Sequence, residues 1–304
     1  MSYSRILHVS CVALALVFMA WLVVDHWNQI KLLNVTLRYD FLIGSLGVLV
    51  VLFFLDALGW HLILRSMGYQ LDPARIVMIW MVSSLSRYIP GGVWSYFSRA
   101  SMARDAGIKW TCCSISMYLE TLLLTASSCA VGVPALLYIS GLPVRVVDSV
   151  IVIVVLGLLL HPKVIKLGKY IPGRFGKVFE AMRLPSIRHT IMLYLYYVTF
   201  WCLFGLTFIG FVSAICEVPM DLWLPIGSSL ALGFFVGFVM IFIPGGIGIR
   251  ESVIYALCLA VFSPSEAVLI AISSRLWIMA GEFVSVLLAV VFFQRTRNVI
   301  DFKT

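Results

Sequence analysis

The sequence predicts an all-α polytopic membrane protein: an inverted-topology repeat with about six full spans and two broken, re-entrant hairpins. Three observations predict it. Hydrophobic residues make up 62% of the 304 residues and charged residues only 12%, with a mean hydropathy of +1.05. Soluble domains carry about a quarter of their residues as charges. Several apolar runs reach the roughly 20 residues that cross a hydrocarbon layer about 30 Å thick. One short phrase also occurs twice, as Ile89-Pro90-Gly91-Gly92 and Ile243-Pro244-Gly245-Gly246, with Pro90 and Pro244 154 residues apart. Proline removes a backbone donor, and paired glycines admit angles closed to other residues, so each phrase breaks a helix. In lipid such a break survives only where protein or a wet cavity covers it.

The first span is expected over 6–24. It follows Arg5, and Asp25-His26-Trp27 comes after it where a signal peptide would have a small-residue cleavage site. The second span covers 41–63. Residues 74–92 stay apolar as far as Arg87 and break at Pro90. The return arm, 93–110, carries Ser95, Ser98, Arg99, Ser101, Arg104, Asp105 and Lys109. An arginine or lysine at a span centre costs about 2.5–3.5 kcal/mol, so this arm reads as the return of a hairpin to its side of entry. The third span, 111–138, holds Glu120, and a turn over 139–145 leads to a fourth span over 146–160.

Residues 163–188 carry seven lysines and arginines against a single Glu180, with Gly168, Pro172, Gly173 and Pro185 among them. That reads as a loose cytoplasmic linker, 161–188. The fifth span is 189–213, followed by an acidic loop with Glu217 and Asp221. Residues 222–243 run apolar to the second break, and 247–262 follow it. The second hairpin reads either as re-entrant or as two short spans, which give the same parity. Ser263-Pro264-Ser265-Glu266 starts the last span, 266–293, which contains Arg275 and Glu282. With both termini cytoplasmic, the linker and the basic tail fall inside and the acidic loop outside. The halves, 1–145 and 146–304, then match in element order and enter from opposite faces, as in secondary transporters.

The net charge of +8 fits cytoplasmic loops and anionic lipid, and no nucleic-acid partner is expected. The seven cysteines include no CxxC pair and lie mostly in apolar runs, and the five histidines are scattered. No disulfide framework, metal site or cofactor is expected. Neither HExxH nor GxSxG occurs, and no enzymatic activity is expected.

A helix that begins in mid-membrane exposes its first amides, and these favour an anion. Pro90, Gly91, Gly92, Pro244, Gly245 and Gly246 therefore form the expected substrate cradle, with Arg87, Arg250, Glu251 and Arg275 beside it. The plainer alternative for Arg250 is an ion pair with Glu251 or Glu282. Glu120, Glu251 and Glu282 are proton-coupling candidates, because a carboxyl shielded from water holds its proton more tightly. Arg99 and Arg104 read as positive-inside flanks or head-group contacts. For Asp56 and His61, snorkelling or local hydrogen bonding is favoured over a proton relay.

The sequence resembles the lysylphosphatidylglycerol-synthase transmembrane family, which includes the flippase-like domain of bacterial MprF proteins and members from polysaccharide and lipid-glycan pathways. Arg87-Tyr88-Ile89-Pro90-Gly91-Gly92-Val93-Trp94, Pro244-Gly245-Gly246-Ile247-Gly248-Ile249-Arg250-Glu251 and the segment from Arg275 to Glu282 carry the resemblance. It implies a lipid flippase in a bacterial or archaeal plasma membrane, acting on an anionic lipid such as a phospholipid or a polyprenyl-phosphate-linked sugar. MprF proteins add a soluble aminoacyl-transfer domain. The chain ends at Thr304 with none, so it is not expected to synthesise the lipid. The alternatives are a transporter of a small soluble anion and a non-transporting membrane partner that docks a glycosyltransferase.

Overall fold

The computed structural model describes residues 36–88, 94–138, 170, 184–240 and 248–301, with side chains excluded for Tyr88 and 293–301. The first and fourth expected spans, most of the basic linker and both Pro-Gly-Gly phrases lie outside the described residues. Those described are helical with short connections. In order they form α1 (Tyr39–Ser66), α2 (Pro73–Leu85), a 3-10 turn (Ser86–Tyr88), α3 (Trp94–Asp105) and α4 (Trp110–Tyr138). After the linker come α5 (Ile187–Ser213), a second 3-10 turn (Met220–Leu222), α6 (Trp223–Val239), α7 (Ile249–Leu259) and α8 (Pro264–Asp301). Among the described residues, each half thus reads as a long helix, two shorter ones and a long helix, and the Pro-Gly-Gly phrase falls in the stretch between the two shorter ones both times.

Five segments are long and apolar enough to cross a membrane: Tyr39–Ser66, Trp110–Tyr138, Ile187–Ser213, Met220–Val239 and Pro264–Phe292. Four of these are the expected second, third, fifth and last spans, and the protein is an all-α integral membrane protein. The fifth, α6 with its 3-10 lead, is the first arm of the second hairpin. The 11 residues of α7 rise only about 16 Å at 1.5 Å each, roughly half of the hydrocarbon thickness. Alone, α7 does not cross.

Local chemistry sets the helix ends. Pro73 opens α2, where its missing N–H is no loss, and the side chain of Asp72 accepts from the Ala74 amide at 3.3 Å. At the end of α3 the chain turns through Gly107, φ +87°, and the Ile108 amide bonds back to Ala103 O at 3.0 Å. Arg75 Nη2 donates to Asp105 O at 3.0 Å, tying the start of α2 to the end of α3. The first pair of short helices is therefore a hairpin, as expected. Ser263 and Glu266 form a reciprocal capping box at α8: the Ser263 amide and hydroxyl donate to Glu266 Oε2 at 2.9 and 2.7 Å, and the Glu266 amide donates to Ser263 Oγ at 3.4 Å.

The chain forms two compact units, each drawing on both halves of the sequence. The first comprises 1–52, 128–150 and 198–281, and the second 53–127, 151–197 and 282–304. In the first unit, α6 packs on α7 and helices meet at glycines. A Cβ at Gly205 would lie 2.5 Å from Gly227 O, and one at Gly132 would lie 2.9 Å from the Leu232 backbone. Trp277 is buried against Phe204, Phe208 and Phe211. In the second unit, Ile63, Met67, Ile115, Leu119, Leu123 and Tyr197 are among the residues of a dry core from α1, α4 and α5. That core fixes the helices that carry its charged side chains.

Candidate functional site

The second unit contains an ion-pair centre built from α1, α2, the first 3-10 turn, α3, α4 and α8. Arg99, buried on α3, pairs with the buried Glu120 of α4, Nη1 to Oε2 at 2.5 Å. Glu120 Oε1 accepts from Trp80 Nε1 of α2 at 2.6 Å. Arg99 Nε donates to Ser83 Oγ at 3.2 Å. The guanidinium carbon of Arg99 also lies 5.2 Å from the Trp60 ring centre and 5.1 Å from that of Trp80. Trp60 is held in turn by its own N–H on Ser116 Oγ at 3.0 Å. Every strong contact of this pair is local and charge-assisted, which is how a buried ion pair offsets its desolvation. Flat aromatic faces replace part of the guanidinium's lost hydration.

One turn beyond Ser83, Arg87 behaves differently. Its Nε reaches the buried Glu282 of α8 at 3.3 Å and donates to Ser84 O at 3.0 Å. Neither contact uses its terminal amino groups, and its side chain is 44% exposed against 2% for Glu282. Among the described residues nothing engages the outer half of this guanidinium fork, while its counter-ion is sealed. Arg87 is the middle residue of the 3-10 turn (Ser86–Tyr88) that follows α2.

Asp56 of α1 belongs to the same centre. It interacts electrostatically with Glu120, Arg99, Arg87 and Glu282, and its Oδ1 is buried with no hydrogen-bond partner among the described residues. His61 is directed elsewhere, with Arg65 and Asp72 as its charged neighbours.

The first unit carries a second charged group at the start of α7. Gly248, φ +85°, precedes that helix, and its amide donates to Glu251 Oε2 at 2.7 Å. The other oxygen of Glu251 lies 3.6 Å from Arg275 Nη1. Glu251 is buried, and Arg275 is partly exposed. The guanidinium carbon of Arg250 lies 4.8 Å from the Phe234 ring centre, and a Cβ at Gly233 would meet Arg250 O at 3.3 Å. The carboxylate of Glu251 thus already occupies the N-cap amide of this helix, so an anion at that amide competes with it.

A family model for the lysylphosphatidylglycerol synthase TM region matches residues 9–292. The chain belongs to this family. Among curated proteins, none matches it.

Of the residues singled out from sequence in this family member, Arg87 and Glu282 come together, as do Glu251 and Arg275. Glu120 takes Arg99 as its partner. Arg250 stacks on Phe234, and Arg275 and Glu282, seven apart on one helix, go to different counter-ions. The six residues of the Pro-Gly-Gly phrases lie outside the described residues. Sequence reasoning missed two members of the first centre. Arg99 is neither a surface flank nor a head-group contact: it is buried against Glu120, because a lone carboxylate deep in α4 needs a cation from the helix beside it. Asp56, for which the sequence favours snorkelling or local hydrogen bonding, is the other. A carboxylate at mid-span in a helix as apolar as α1 was the signal.

Proposed function

We propose that the protein is a flippase-like transporter that moves an anionic lipid, either a phospholipid or a polyprenyl-phosphate-linked sugar, and performs no covalent chemistry. The observation that carries this reading is Arg87: a half-exposed guanidinium beside a helix break, held from behind by a sealed carboxylate. Such a group is positioned before its ligand arrives and keeps its forked end for phosphate oxygens. Family membership and the buried ion pairs within apolar spans support it, since charges retained inside spans mark transport pathways. The long-short-short-long order of each half supports an inverted repeat, 1–145 and 146–304, with the Pro-Gly-Gly breaks and Arg250 contributing to the cradle. The tails remain in the bilayer while the head group passes.

The test is flipping of labelled phosphatidylglycerol and of a polyprenyl-phosphate sugar in proteoliposomes. Arg87→Gln removes a charge-assisted contact worth about 1.5–3 kcal/mol and is expected to slow flipping by roughly tenfold or more. Arg250→Ala and Glu251→Gln are compared alongside. Rates equal to wild type in all three variants would remove the assignment.

A further inference from the structure

The first charged centre is unbalanced. Among the described residues, Asp56, Glu120 and Glu282 gather around two cations, Arg87 and Arg99, within one unit of the protein. Arg99 is closed by Glu120 and Ser83, and Arg87 Nε is held on Glu282. Asp56 is left over, its buried Oδ1 without a hydrogen-bond donor among the described residues. Among the described residues, the charged and titratable groups facing it are Arg87 from the 3-10 turn, Arg99 from α3, Glu120 from α4, Tyr196 and Tyr197 from α5, and Glu282 from α8. Tyr196 gives its hydroxyl proton to Leu55 O at 2.5 Å, not to Asp56.

Fully ionised, these five side chains carry one net negative charge among apolar spans. A carboxylate so placed neutralises itself when it can. A hard metal cation needs about six oxygen ligands, and both oxygens of Glu120 are already engaged by Trp80 and Arg99. Among the described residues no three metal-ligating side chains come together. A proton needs only the one open oxygen. An anion arriving at Arg87 competes with Glu282 and adds negative charge beside Asp56, which strengthens the demand for a proton. By linkage, the proton then strengthens anion binding equally.

We propose that Asp56 is a proton-binding site, and that it takes one proton from water when a phosphate head group engages Arg87 and returns it on release. The head-group half of this statement rests on the reading under Proposed function; the proton site does not.

The experiment uses the full chain in detergent, with dihexanoyl-phosphatidylglycerol and inorganic phosphate as probes in separate arms. Calorimetry in two buffers of different ionisation enthalpy counts protons, and infrared difference spectra against pH follow un-ionised carboxyls. At pH above the midpoint of the free carboxyl, where Asp56 starts ionised, wild type is expected to take up about one proton per lipid bound, with affinity falling about tenfold per pH unit. Asp56→Asn is expected to lose both the carboxyl band and the pH dependence, and Asp56→Glu to restore them. Binding in the lipid arm alone assigns the ligand as a lipid head group, and equal binding in both arms assigns free phosphate. Binding without proton uptake in wild type, which requires no variant, overturns the proposal. So does a titrating band that survives in Asp56→Asn and vanishes in Glu282→Gln, or an affinity set by sodium instead of pH. If neither probe binds but the band titrates and disappears in Asp56→Asn, the proton site stands and the anion reading fails.

Discussion

Arg99 and Arg87 lie twelve residues apart, on either side of one helix break, and their surroundings give them opposite duties. Arg99 is enclosed by a carboxylate, a hydroxyl and two indoles, and has no freedom to exchange partners. Arg87 shares one nitrogen between a carbonyl and a carboxylate and keeps its outer end accessible. Arg99 is therefore structural. Removing one member of a buried pair strands the other, so Arg99→Met or Glu120→Leu is expected to cost about 3–5 kcal/mol. The double variant is expected to recover part of that loss, because an apolar pair of similar volume leaves no orphan charge. Thermal unfolding of the four proteins in one detergent checks it; additive losses in the double variant would contradict the pairing.

At the scale of elements, the short helices depend on their ends. The helix α7 starts through Gly248 at φ +85°, where a Cβ crowds the backbone. Gly248→Ala is expected to destabilise by about 1–2 kcal/mol, and an unchanged melting temperature would speak against that start. Helix contact in the first unit also runs through backbone. At Gly205 any side chain meets the carbonyl oxygen of Gly227, so α5 and α6 must separate. Gly205→Val is expected to cost about 1–3 kcal/mol through overpacking, measured in the same unfolding assay. Gly107→Asn is milder, since nothing lies within 4 Å of a Cβ there and asparagine tolerates the left-handed region better than most residues.

For the whole molecule, charge distribution predicts sidedness. By the positive-inside rule the start of α5, after the basic stretch, is expected in the cytoplasm and the acidic loop between α5 and α6 outside. In a background without native cysteines, Met220→Cys is expected to react with a membrane-impermeant maleimide on intact cells. Ser186→Cys is expected to react only after lysis. Both positions are exposed, so burial does not confuse the readout, and the reverse pattern would invert the topology.

How legible all this was differs by element. Four spans, the first hairpin and the cap at Ser263–Glu266 were readable because each is set by residues close in sequence: apolar runs, a proline, a reciprocal Ser/Glu pair. The functional interest of Arg87, Glu120 and Glu282 was readable too, because ionisable groups in apolar spans are expensive wherever they are found. Their partners were not. Arg275 and Glu282 share a helix face, yet one meets Glu251 and the other Arg87. Asp56 looked like a local feature of α1 and belongs instead to a centre assembled from α1, the first hairpin, α4 and α8. Hydropathy is a property of each segment alone, so the order of residues already puts Glu120, Arg275 and Glu282 within membrane-embedded helices. Ion pairing depends on distances between helices far apart in the chain, so which carboxylate each arginine neutralises, and which one is left over, follows from the packing.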